Sequence, residues 1–212
     1  LKRFPYHRDN PAVHMRVVES LERVQRLDDA FAERDVVTDN YTKGSDWYER
    51  NKNDREAIKA AEELTEQSLI AAAVYYHNRA QQLKDKARVM EDEAALAESQ
   101  KFYTMASRNY RSYLDKYPHS KNAYELNFFY AECLFYSGEL DEAATQYAKV
   151  RDENELGEYR HEAAKTAILA LETMVDQSIE AGAVVPKASA NWDPSQAAAA
   201  PQTPALGRRS AD

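Results

Sequence analysis

The sequence predicts an all-α protein in which long N-terminal helices precede helical hairpins. Residues that break helices are scarce: the 212 residues include 5 glycines and 7 prolines, and Pro118 is the only proline between Ala12 and Val185. The residues that favour helix, Ala, Glu, Leu, Arg and Lys, are abundant. Apolar residues recur at spacings of three, four and seven, which is the period of one helix face.

Composition allows a packed core and argues against some functions. Hydrophobic residues make up 43% of the chain and charged residues 30%. The formal net charge of −8 argues against a general nucleic-acid binder, which needs a basic stripe, and less strongly against docking on anionic lipid. No run of 18 apolar residues is present, so we expect no membrane insertion.

The cellular compartment is left open by the sequence. Cys133 is the single cysteine, so no internal disulfide can form, and a reducing cytosol and a periplasm are both compatible with that. The chain begins at Leu1 rather than Met, and we therefore expect the native start to lie further upstream.

The N-terminal part is expected to consist of an extended segment, 1–10, and a region of long helices, 11–90. A first helix is expected from Pro11 to about Arg34, because proline suits the first helical position. Its predicted buried face comprises Val13, Val17, Leu21, Val24 and Phe31.

A polar connector is expected over 36–54, where Gly44 interrupts the pattern. Its aromatic pair, Trp47 and Tyr48, is expected to plug the loop onto a neighbouring helix; stacking on a ligand is the alternative. Asn53 or Asp54 can then cap a long helix that begins near residue 55.

The remaining helices follow from capping and breaking residues. The charged stretch 84–93 is expected to hold a kink or a turn, before a helix over about 92–117. The later helices are expected at about 120–137, capped by Ser120 and ended by Gly138, at about 141–150, and from about 158 to Gly182. Residues 184–212, rich in Pro and Ala, are expected to form a flexible tail, or one that docks back through Trp192.

A repeat is visible in "YAECLFYSGELDEAATQYAKV", residues 130–150, which resembles a tetratricopeptide repeat, a 34-residue helix–turn–helix unit. Ala131 and Ala143 stand at the small positions where the two helices cross, and Gly138 stands at the turn. The other positions of the pattern are filled by Leu134, Leu140, Tyr147 and Val150.

An earlier unit carries the same pattern. Ala106, Tyr110, Tyr113 and Pro118 match the small, aromatic, packing and proline positions at the end of such a repeat, so the tyrosines are expected to join one hairpin to the next. The match is imperfect, with no turn glycine at Lys101, Asn127 at an apolar position, and only half of a third unit. The resemblance implies a helical-hairpin, tetratricopeptide-like solenoid over 91–183.

A finer resemblance concerns the whole stretch from Tyr110 to Val150. It is similar to repeats of Gram-negative cell-envelope scaffolds, of the type found in outer-membrane assembly lipoproteins, TolA-binding coordinators and periplasmic gliding-motility proteins. That resemblance implies a scaffold in the periplasm or associated with the outer membrane; a cytoplasmic location is the alternative.

In this register, one side of the helix at 120–137 lines the concave face of the solenoid. Its side chains are predicted to bind a peptide or helix of a protein partner with apolar or basic character. Alternatively, the same rings pack on the long N-terminal helices, which then fill the groove. The predicted partner-binding residues are Glu125, Phe128, Phe129, Glu132, Phe135 and Tyr136.

No catalytic, cofactor-binding or metal-binding residues are predicted. "HEAAK", residues 161–165, has Lys165 where a zinc-protease motif needs its second histidine. Cys133 is expected to be a buried apolar filler, and no glycine-rich phosphate loop is present. We therefore expect a non-enzymatic protein-binding scaffold; the alternatives are a structural segment of a larger repeat protein and an all-α enzyme.

Overall fold

A computed structural model describes residues 3–183, and within this range the chain forms helices and no strand, which confirms the all-α prediction. The predicted tail 184–212, with Trp192, lies outside the described residues. Packing divides the chain after Met174, and the described residues of the two units are 3–174 and 175–183. The helices are α1 (Asn10–Arg23), α2 (Leu27–Asn40), α3 (Asp46–Asn51), α4 (Arg55–Met90), α5 (Glu93–Lys116), α6 (Ala123–Ser137), α7 (Leu140–Glu153) and α8 (Arg160–Glu180).

The single helix expected from Pro11 to Arg34 is wrong, because two helices occupy this stretch. Gln25 adopts a left-handed conformation with φ 59° and ends α1, and the amide of Arg26 donates to the carbonyl of Leu21. The predicted buried face is only partly right: Leu21 and Phe31 are partly buried against the core. Val13, Val17 and Val24 are exposed, and the side chains buried on α1 are those of Asn10, Pro11, His14, Met15 and Val18.

The segment before α1 folds back on itself instead of running extended. The side-chain amide of Asn10 donates to the carbonyls of Phe4 and Pro5, at 2.8 and 2.9 Å. These bonds hold residues 4–10 in turns, and the sequence pattern offered no sign of them.

The expected connector is largely helical. Helix α2 continues to Asn40, and α3 begins after Ser45, whose hydroxyl accepts from the amide of Tyr48. Trp47 is buried, as predicted: its ring meets Tyr41 edge to face at 5.3 Å, and its indole N–H donates to the carbonyl of His7. These rings belong to a core between α1, α2, α3 and the first part of α4.

Helices α4 and α5 form a long hairpin. Asp54 caps α4 as predicted, accepting from the amide of Ala57 at 3.1 Å. The charged stretch contains a turn, since Glu91 is left-handed with φ 52° and Asp92 caps α5. Small side chains let the two helices lie close; the buried ones are Ala72, Ala73, Ala80, Ala87, Ala95, Ser99 and Ala106.

A buried carboxylate joins α2 to this hairpin. Asp35, 9% exposed, accepts from the hydroxyl of Tyr76 at 2.9 Å and from the amide of Asn109 at 3.1 Å. The guanidinium of Arg108 lies 3.5 Å from the same carboxylate. A buried charge is tolerated because hydrogen-bond donors surround it.

Successive helices then pack on their sequence neighbours, α5 on α6 and α6 on α7. Tyr103, Tyr110 and Tyr113 are buried, as are Ala131 and Ala143, which confirms the predicted burial of the repeat pattern. Gly138 ends α6 with φ 94°, also as predicted. Ser120 is not the cap of α6, because the helix starts three residues later and Asn122 precedes it.

Asn127 departs from the repeat pattern for a visible reason. Although it is buried, its side-chain oxygen accepts from the amide of Gln146 at 2.5 Å and from the ammonium of Lys149 at 3.2 Å. An apolar residue here would leave both α7 donors without this acceptor.

Helix α8 buries Ala163, Ala167 and Ala170 on one side. On another side the apolar side chains of Ile168 and Leu171 are 59% and 51% exposed. In the second unit, Val175 is 52% exposed and Gly182 follows the helix end with φ 70°.

Candidate protein-binding face

The predicted partner-binding residues all lie on α6, between Glu125 and Tyr136, and we call this set the α6 face. Glu125 is exposed, and the other five side chains are partly buried. A partly buried row of rings is compatible with both interpretations of the sequence, because each ring contacts the protein and still presents surface to solvent.

The C-terminal end of the α6 face is covered by the long hairpin. The ring of Tyr136 stacks on Tyr103 of α5 with centroids 5.1 Å apart, and the ammonium of Lys84 on α4 lies 3.4 Å from its centroid. Phe135 meets Tyr136 edge to face at 5.2 Å. A cation over an aromatic ring is attracted by its negative face, so Lys84 helps to hold Tyr136 in place.

The middle of the face is built around His77 of α4. This histidine is 5% exposed; its Nε2 lies 3.4 Å from a carboxylate oxygen of Glu132, and its Nδ1 lies 3.4 Å from the hydroxyl of Tyr110. Phe129 packs edge to face on the imidazole at 5.7 Å. Glu132 is therefore engaged inside the protein and is less available to a partner than Glu125.

The N-terminal end of the face lies against the segment before α8. Phe128 stacks on Tyr159 with centroids 4.5 Å apart and planes 18° from parallel. The Tyr159 hydroxyl donates to a carboxylate oxygen of Glu125 at 3.2 Å. This end of the face combines aromatic surface with an exposed carboxylate whose only partner within residues 3–183 is a neutral hydroxyl.

The long N-terminal region therefore covers only part of the α6 face. Helix α4 contacts Phe129, Glu132 and Tyr136, which is the packing that the second interpretation expects. In the range 3–183, the ring contacts, hydrogen bonds and ion pairs of α1 to α3 reach α4 and α5 but not α6. Phe128, Phe135 and Glu125 are the members left with the least cover from this region.

Four residues that the sequence did not assign to this face belong to it. They lie on other elements, so no spacing along α6 could have identified them: His77, Lys84, Tyr103 and Tyr159. The one sequence feature that could have indicated any of these contacts is the enrichment of aromatic residues on α5, which includes Tyr103.

One thiol and two phenols behind the face have a raised pKa. Burial raises the pKa of the Cys133 thiol well above its ordinary value, and the nearby Glu132 carboxylate adds to the effect. Burial likewise raises the pKa of the Tyr103 and Tyr110 hydroxyls. Cys133 is fully buried, as predicted, and acts as a small apolar residue.

The HEAAK sequence lies on α8, where Lys165 pairs with Glu162 at 3.4 Å on an exposed helix surface. Within the described part of the chain, no three His, Cys, Asp or Glu side chains are grouped as metal ligands. Among the helices of residues 3–183, none is long and apolar enough to cross a membrane.

The chain matches no protein-family model, no curated protein sequence and no solved structure.

Proposed function

We propose that this protein is a non-enzymatic scaffold whose residues 91–183 form a tetratricopeptide-like solenoid that follows the long N-terminal helices. Two two-residue connections, 91–92 and 138–139, each join a pair of packed helices. Ala131 and Ala143 are fully buried, where the repeat pattern needs small side chains at a close crossing. This arrangement of stacked hairpins supports the proposal.

The α6 face is the proposed binding surface, and its N-terminal end carries the argument. Phe128 and Tyr159 form a stacked aromatic pair beside Glu125, and Glu125 has no ion-pair partner within 3–183. Aromatic surface with an uncompensated carboxylate suits a peptide or helix of apolar or basic character. The proposed setting is a bacterial cell-envelope complex in the periplasm or associated with the outer membrane, with the cytoplasm as the alternative, and fractionation of the native cells tests that location.

Affinity capture by the full-length protein from its native cells, followed by mass spectrometry, tests the binding proposal. The double variant Phe128→Glu, Phe135→Glu is expected to lose the captured protein because two carboxylates replace apolar contacts. Glu125→Lys is expected to weaken capture of a basic segment. Val89→Glu is the control, since Val89 is 77% exposed at the far end of the α4–α5 hairpin.

Thermal unfolding by circular dichroism distinguishes loss of binding from loss of fold. Phe128 also packs on Tyr147, so some destabilisation is expected. Undiminished capture by a folded double variant contradicts the role of the α6 face. Failure of the wild-type protein to retain any stable protein contradicts the scaffold itself.

The exposed apolar side of α8 favours a second proposal, in which the chain is one structural segment of a longer repeat protein. Ile168 and Leu171 are more than half exposed, and a further hairpin packed on α8 would bury them. Ile168→Asp with Leu171→Asp tests this in the full-length protein. Lower thermal stability there supports a structural neighbour, and an unchanged melting temperature contradicts it.

A further inference from the structure

A row of apolar side chains on α8 is exposed to solvent. The alanines at 163, 167 and 170 are buried on one side of this helix. Ile168 and Leu171 lie about 100° further around the helix axis, and each is more than half exposed. We call the row formed by Ala164, Ile168 and Leu171 the α8 stripe.

The α8 stripe has the width of a seam between two paired helices. Its residues follow one another at spacings of four and three, and they lie within about 60° of each other around the axis. In the sequence the same spacing continues to Val175, which is also exposed. Two helices that pack along their length meet through such a row, so a second helix is the occupant that fits its shape.

One edge of the stripe carries two opposite charges. Lys165 and Glu172 are seven residues apart and therefore lie one above the other, on the edge away from the buried alanines. Lys165 is 3.4 Å from Glu162 in an exposed ion pair, which contributes little and is easily exchanged. Glu172 is exposed and has no ion pair or side-chain hydrogen bond with any residue from 3 to 183.

This order of charges is complementary to itself when two copies of α8 run in opposite directions. With Ile168 opposite the partner's Leu171, Lys165 is offset from the partner's Glu172 by about two residues, or ~3 Å along the axis, which a lysine side chain spans. The two-fold axis produces the same ion pair a second time. A parallel pair would instead place Arg160 beside the partner's Lys165, where like charges repel.

We propose that a second copy of this chain covers the α8 stripe, in a symmetric dimer whose two α8 helices are antiparallel. Ile168 and Leu171 form the apolar contact, and Lys165 pairs with the partner's Glu172. Because few large side chains take part, the dimer is weak, with a dissociation constant of about 10 μM or higher.

The dimer does not depend on the α6 face. It does use the surface that the second proposal assigns to a further hairpin of a longer repeat protein, so only one of these two occupants is correct. A hairpin of the same chain covers α8 at every protein concentration, whereas a second copy covers it only when the concentration is high enough.

Sedimentation equilibrium of the full-length protein, from about 1 μM to about 500 μM, tests the dimer. The mass is expected to rise from that of a monomer to that of a dimer across this range, and the melting temperature is expected to rise with it. A monomeric mass at every concentration overturns the proposal. That result leaves the capture experiment on the α6 face unaffected, so the two failures are distinguishable.

Substitutions in the stripe test whether it is the contact. Leu171→Asp is expected to weaken the dimer at least about tenfold, because a buried leucine is replaced by a carboxylate. Val89→Asp is the control, since Val89 is an exposed apolar residue at the far end of the α4–α5 hairpin, and no change is expected. An undiminished dimer in the Ile168→Asp, Leu171→Asp double variant overturns the proposal.

Charge reversal tests the antiparallel pairing. Lys165→Glu and Glu172→Lys are each expected to weaken the dimer roughly threefold to thirtyfold, because like charges then meet twice. An equal mixture of these two variants is expected to form a heterodimer of about wild-type affinity, since opposite charges meet again at both positions. Lys52→Glu is the matched control, because Lys52 is also an exposed lysine paired with a glutamate three residues away.

Recovery in the mixture requires both variants to be folded, so it separates loss of pairing from loss of fold. A mixture that associates no better than either variant alone overturns the antiparallel dimer.

Discussion

Asp35 offers the sharpest test of how the N-terminal helices are attached to the α4–α5 hairpin. Its carboxylate is 9% exposed and accepts hydrogen bonds from Tyr76 of α4 and Asn109 of α5. Asp35→Ala removes both bonds, which leaves the Tyr76 hydroxyl and one N–H of the Asn109 amide without this acceptor; the Asn109 amide still donates to the carbonyl of Met105. Each hydrogen bond to a charged group contributes about 1.5–3 kcal/mol, and each orphaned buried donor costs about 1–3 kcal/mol.

The net effect is smaller than that sum, because the variant also no longer buries a carboxylate. We expect Asp35→Ala to lower the free energy of unfolding by about 3 kcal/mol. For a chain of this size, that corresponds to a melting temperature lower by roughly 6–12 °C. Asp35→Asn keeps one acceptor but presents an N–H₂ group to a donor, so about half of the loss is expected.

The measurement is urea unfolding at pH 7, followed by circular dichroism at 222 nm. Asp39→Ala on the same helix is the control, because Asp39 is exposed, and a change within about 0.5 kcal/mol is expected there. If Asp35→Ala is as stable as the control, the carboxylate does not connect α2 to the hairpin and the reasoning from its donors is refuted.

Three further predictions follow from burial. Ala143→Leu is expected to lower the free energy of unfolding, measured in urea, by about 1–3 kcal/mol, because Ala143 is fully buried at the α6–α7 contact. Thr145→Leu on the exposed side of α7 is the control and is expected to change the stability little. Equal effects of the two substitutions contradict a close crossing of the helices. The Cys133 thiol is expected to resist iodoacetamide at pH 8 in native buffer and to react in urea; rapid native alkylation, detected by mass spectrometry, contradicts its burial. Burial and the Asp28 carboxylate raise the pKa of Tyr75 to about 12, so folding favours the protonated phenol. The resulting stability is complete below the unfolded-state pKa of about 10 and is lost as pH rises from 10 to 12. Urea titrations at pH 9, 10 and 11 should show that loss, and Tyr75→Phe should make it smaller; an unchanged pH dependence contradicts the linkage.

The sequence predicted most of the chain from α4 to α7 because its signals there are local. Asp54 caps α4, Gly138 ends α6, and the alanines and tyrosines of α5 to α7 are buried where their spacing placed them. A helix cap and a left-handed glycine each end or begin a helix within a few residues of their own position, and a small residue marks a close helix crossing by its type alone. These features can therefore be predicted from the sequence alone.

The N-terminal half was predicted less well because tertiary contacts override its pattern. The valines at 13, 17 and 24 have helical spacing, yet they are exposed, and Met15 and Val18 form the buried side. Gln25 separates α1 from α2 because it adopts a left-handed conformation, and the helix propensity of glutamine does not predict this. The turns before α1 depend on the Asn10 side chain, which could equally have faced solvent.

Composition and spacing by themselves determined that this chain is helical, where several helices begin and end, and which small and aromatic side chains of α5 to α7 are buried. The tertiary structure alone decided which partners those helices meet. Asp35 pairs with Asn109 across 74 residues, and His77 meets Glu132 from a different helix. Periodicity reports which face of a helix is apolar, whereas a hydrogen bond or a stacked pair requires two elements to be placed in space, and only packing places them.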